Sequence, residues 1–153
     1  LHKNDPDMSN TIRLGPARTL DCSQGMACDE DAFQYFLDLE RARAGRSNHP
    51  LRLLFATIES APGKPAPIPA PKAARLFQGM RESLRETDVV GWYRQGRVAG
   101  AVLTSRPDAQ GSGMSELIEQ RVGDGLRQGL PAKIASGLRV RVVQLGPQRF
   151  RMW

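Results

Sequence analysis

Apolar positions recur at helical spacing in three stretches of the chain. In "CDEDAFQYFLDLERARAG", residues 28–45, Ala32, Phe33, Phe36, Leu37 and Leu39 fall on one face and predict a helix. Asp29 is placed to cap it. Glu30 and Asp31 stand in the first turn, where the helix dipole favours acids, and Gly45 is the expected stop. A second face, Ala73, Leu76, Phe77, Met80 and Leu84, predicts a helix over 72–87. Residues 112–130 predict a third, with Ser112 or Ser115 as cap and Gly123, Gly125 and Gly129 weakening it. Strand patterns lie between these helices. "LRLLFATIE" (51–59) is a short apolar run, and "LRVRVVQLG" (138–146) alternates. "DVVGWYR" and "RVAGAVLTS" flank Gln95–Gly96, which reads as a hairpin turn. Between 62 and 71 stand five prolines, so that segment is expected to be an extended surface loop rather than a helix or central strand.

After the first helix the order is strand, helix, strand, strand, helix, strand. This is the β-α-β-β-α-β split unit. The expected fold is therefore α+β and ferredoxin-like. It has a four-stranded antiparallel sheet, helices on one face and an extra N-terminal helix. Residues 1–27 read as an irregular N-terminal segment or linker, within which "TIRL" could form a short strand, and 28–153 read as one domain.

Composition narrows the chemistry. With 40% hydrophobic and 25% charged residues the chain can build a globular core. A net charge of +6 favours anionic partners. The arginines are dispersed, aromatics are few, and no zinc-finger or RNA-binding signature appears, so DNA and RNA are not expected partners. Cys22 and Cys28, with two histidines, do not make a structural zinc site. The expectation is reduced thiols in a cytoplasmic protein, although the pair could form a disulfide. No run is long and apolar enough for direct membrane insertion.

The most informative stretch is "LRETDVVGWYRQGRVAGAVLT". Arg85-Glu86-Thr87-Asp88 reads RxxD, five residues follow, and a hairpin turn comes next. From about residue 28 to 146 the chain resembles the GGDEF family of diguanylate cyclase domains. More closely, "F-x-x-x-L-D-L-E-x-x-R-A", "RETD" and "GW-Y-x-x-G" resemble short degenerate members that accompany bacterial exopolysaccharide biosynthesis. The resemblance puts Arg94, Gln95, Gly96, Arg97 and Val98 at the GGDEF positions. It puts Thr57 and Glu59 at the two aspartate positions of the first strand.

What the resemblance implies is a cyclase that has lost its chemistry. Active members need carboxylates at these places to hold two metal ions for phosphoryl transfer. Thr57 and Gly96 offer none, and Arg97 brings a charge that repels a divalent cation. Arg94 and Gln95 replace glycines that let a phosphate approach the backbone. No catalytic residue, metal or cofactor is expected, and Arg94 and Arg97 read as solvated hairpin-tip arginines. The RxxD corner differs. In the family it is the inhibitory site for cyclic di-GMP. The guanidinium of Arg85 can fork onto guanine O6 and N7, and the Asp88 carboxylate can accept from its N–H groups. Helical i, i+3 spacing would bring the two together, with Arg81 adding a phosphate contact. The alternative role of this corner is structural, an Arg–Asp pair fixing the helix to the strand. Trp92 and Tyr93, on opposite strand faces, read as packing aromatics. The expected function is a non-catalytic cyclic di-GMP receptor regulating exopolysaccharide production. The alternative is a ligand-independent interaction or dimerisation module, with a protein partner or a second copy expected.

Overall fold

A computed structural model describes residues 11–14, 18–21, 27–103 and 113–145. Thr11–Leu14 (β1) pairs antiparallel with Arg18–Asp21 (β2), so the segment expected to be irregular carries a two-stranded sheet. The remainder is α+β. Its strands are Leu51–Ala61 (β3), Lys64–Pro65 (β4), Val89–Arg94 (β5), Val98–Leu103 (β6) and Leu138–Leu145 (β7). Its helices are Glu30–Ser47 (α1), Ala70–Ser83 (α2), Met114–Gly129 (α3) and the short Ala132–Ala135 (α4). Strand β3 is central, with β7 on one side and β6 then β5 on the other, all antiparallel.

The helix boundaries differ from the sequence pattern for local reasons. Helix α1 starts where expected, with the Asp29 carboxylate accepting from Ala32 N at 2.8 Å. It runs through Gly45 to Ser47, because Asn48 takes the left-handed conformation (φ 58°) and donates to the Ala44 and Gly45 carbonyls. The proline-rich segment is not wholly loop. Lys64–Pro65 forms a short edge strand on β3, which suits a residue that cannot donate to a ladder. The same prolines then start α2 earlier than expected. Pro69 is its N-cap, and Pro71 stands in the first turn, where its missing N–H costs nothing. Helix α2 ends at Ser83, and Arg85 to Asp88 lie beyond it. Helix α3 is preceded by Gly113 (φ 91°), so neither Ser112 nor Ser115 is its N-cap.

Helices cover both faces of the sheet, not one. On one face Leu54, Ala56, Val90, Ala101 and Leu138 pack with Leu76, Phe77 and Met80 of α2 and Val122 and Leu126 of α3. The two helices approach closely there, since a Cβ on Gly79 would stand 2.7 Å from Leu126 Cδ2. On the other face α1 lays Phe33, Leu37 and Ala44 on Leu51, Leu53 and Val102. Trp92 and Tyr93 divide between these faces, as alternation requires. Trp92 meets Phe77 edge-on at 4.9 Å, and Tyr93 meets Phe55 at 4.7 Å and Phe33 at 6.4 Å. Just ahead of α1, Cys28 runs parallel to β5: Cys28 N donates to Val90 O at 3.0 Å and Trp92 N donates to Cys28 O at 2.9 Å. Cys28 is buried and disulfide-bonded, which corrects the expectation of reduced thiols; the other cysteine, Cys22, lies outside the described residues.

Candidate functional site

The topology sends the two candidate regions to opposite ends of the sheet. The segment ahead of α2 meets the β5–β6 hairpin at one end, and the Arg85–Asp88 corner enters β5 at the other. The six residues of β5 separate them by about 20 Å at 3.4 Å per residue.

At the hairpin end, Arg94 to Arg97 form a turn closed by Arg97 N donating to Arg94 O at 3.0 Å. Gly96 stands at its third position with φ 76°, a conformation that side chains resist. The tip is tied on two sides. Gln95 N donates to Glu30 Oε1 at 2.7 Å, and Glu30 N donates to Gln95 Oε1 at 3.0 Å, so hairpin and α1 hold each other reciprocally. From the proline-rich side, Ile68 N donates to Gly96 O at 2.7 Å. Arg94 folds back over the Tyr93 ring, 4.4 Å from its centroid, with its guanidinium 3.9 Å from Glu30. Thr57 and Glu59 reach this end along β3. Ala56 pairs with Ala99, which places Thr57 beside Val98. Glu59 is engaged, with Oε1 3.5 Å from Arg139 Nε and accepting from Gly63 N at 3.3 Å. Thus the first-strand and hairpin positions do come together. What they present includes Arg94 and the carboxylates of Glu30 and Glu59, each already engaged by a protein partner. Among the described residues no cluster of three or more His, Cys, Asp or Glu side chains could hold a metal ion.

The corner at the other end is a turn and not a helix face. Asp88 N donates to Arg85 O at 3.0 Å, and Asp88 Oδ2 accepts from Arg85 N at 3.0 Å. The carboxylate therefore closes a loop over its own turn, a habit of aspartate in such positions. Helical i, i+3 spacing, expected to join Arg85 and Asp88, is replaced by this paired-backbone arrangement. The Arg85 guanidinium lies 3.4 Å from Thr87 Oγ1. Arg81, in the last turn of α2, is exposed along much of its side chain; nearby chain still strips water from its guanidinium and lowers its pKa, leaving it charged at physiological pH.

No protein-family model and no curated protein matches the chain. The geometry of the two ends is what bears on function. Two residues that the sequence reading passed over enter it. Glu30 binds the hairpin tip, although its sequence signal, an acid in a first turn, spoke only of helix capping. Arg52 is buried in β3, and its signal was visible as the lone charge in "LRLLFA".

Proposed function

We propose that the chain is a non-catalytic receptor domain of the GGDEF type, which binds cyclic di-GMP at Arg85 and Asp88. The observation that carries the reading is the preformed Arg85–Asp88 turn at the mouth of β5. Its hydrogen bonds fix the Asp88 carboxylate against the Arg85 backbone, with Arg81 in the last turn of the helix that precedes it. Preorganisation lowers the ordering cost of binding. The strand order β7-β3-β6-β5 supports the ferredoxin-like, cyclase-related architecture, because the split β-α-β unit arranges its strands this way.

The hairpin end supports the absence of catalysis in this reading. Its Gln95 amide, which would meet a phosphate in a working cyclase, donates to the Glu30 carboxylate. Arg94 and Arg97 oppose a divalent cation there. Cyclic di-GMP signalling belongs to the bacterial cytoplasm, and exopolysaccharide production is the process this domain would regulate. A disulfide at Cys28 would be open to reduction in that compartment. Among the described residues no helix is long and apolar enough to cross a membrane.

Isothermal titration with cyclic di-GMP tests the proposal. Binding is expected in the wild type, and Arg85→Ala should remove most of it. A folded wild-type protein that releases no heat at high micromolar ligand would overturn the reading in favour of the ligand-independent interaction module.

A further inference from the structure

Arg52 is an anomaly inside an apolar strand. It is 9% exposed, and its Nε is buried with no hydrogen-bond partner. No hydrogen bond or ion pair joins it to any other described residue. A donor nitrogen such as this Nε, buried without an acceptor, destabilises a fold, and an apolar side chain of like volume would serve the core better.

Its place in the sheet gives the anomaly a direction. Arg52 pairs with Leu103 on one side and Gln144 on the other. Val102 pairs with Val89, so Leu103 lies beside Asp88. Leu54 and Val90 both face α2 and α3, which puts Arg52 and Asp88, two residues earlier on their chains, toward that same face. Two interstrand spacings of ~4.8 Å separate them, about 10 Å in all. The end of α2, with Arg81, closes over the same end of the sheet.

We propose that Arg52 anchors an anion-binding subsite for phosphate or phosphodiester groups at this end of the sheet. It supplies a guanidinium whose buried Nε the ligand satisfies, in the same row as Asp88. That the anion belongs to a cyclic dinucleotide rests on the function proposed above; that Arg52 binds a phosphate-type anion does not. Guanidinium suits this role because its planar donors match phosphate oxygens in pairs.

The test uses the whole chain in thermal unfolding at constant ionic strength, titrated with pyrophosphate. The wild type should gain stability with the anion. Arg52→Met should melt higher than wild type without anion, having lost a buried donor that has no acceptor, and should not respond to pyrophosphate. Arg52→Gln, which keeps polarity but no charge, should likewise fail to respond; it serves if the Met variant does not fold. Cyclic di-GMP should bind these variants at least tenfold more weakly than wild type. An unresponsive wild type, or equal pyrophosphate gains in wild type and both variants, would overturn the subsite. A wild type that responds to pyrophosphate through Arg52 but ignores cyclic di-GMP supports the subsite and refutes the dinucleotide reading.

Discussion

In the proposed function Asp88 has two separable duties, and substitution can pull them apart. Its Oδ2 accepts from Arg85 N at 3.0 Å, which ties the turn. Its carboxylate charge is what a guanine edge would meet. Asp88→Ala removes both. The turn then loses a charge-assisted hydrogen bond of the kind that caps helices, about 1 kcal/mol. For a domain of this size that is a fall of roughly 3 °C in Tm. Asp88→Asn keeps an amide oxygen where Oδ2 stood, so Arg85 N retains its acceptor and stability should fall by only a few tenths of a kcal/mol. Binding should respond differently. The amide presents one acceptor and one donor to two guanine donors, a mismatch of about 1–3 kcal/mol, or roughly 5- to 150-fold in Kd. Thermal unfolding and calorimetric titration of both variants give the comparison. Cyclic di-GMP binding by Asp88→Asn at wild-type strength would remove Asp88 from the ligand contacts. An Asp88→Ala protein as stable as wild type would refute the turn argument instead.

Two further outcomes follow from other parts of the fold. Gly91→Ala should cost about 2 kcal/mol, because its Cβ would stand 2.7 Å from both Cβ and O of Cys28; amide exchange at Cys28 and Trp92 should speed up, and unchanged protection there would count against the close approach. Incubation with GTP and Mg²⁺ or Mn²⁺ should yield no cyclic di-GMP, and steady product formation would show that the hairpin end retains a chemistry its arginines argue against.

The sequence made the elements legible because their signals are local. Ala73, Leu76, Phe77 and Met80 share a helical face in the pattern and a core in the fold. The Gln95–Gly96 turn and the Asp29 cap are equally local, and both stand where the pattern puts them. Long-range pairings were not legible. Nothing in "CDED" announces that Cys28 would lie along β5 or that Glu30 would reach Gln95, 65 residues away. The proline segment misled because proline excludes central strands but permits an edge strand and favours the first turn of a helix. At the RxxD corner the spacing was read as helical. The chain leaves the helix at Leu84, whose extended backbone turns the corner before Arg85. Both residues were named from sequence, but the bond that joins them comes from the turn.

The sheet also has two margins, and each has part of its backbone taken up. Along β5 the Cys28 segment takes up the Val90 carbonyl and the Trp92 amide. Along β7 a side chain does the work: Glu119 of α3 accepts from Val142 N at 2.7 Å, midway along the strand. Exposed Arg139 and Arg141 add charge on the same strand. Open margins invite strands from other molecules, and charge or cover discourages them. One carboxylate on a neighbouring helix thus takes an amide at the middle of β7 out of reach of a pairing strand from another molecule.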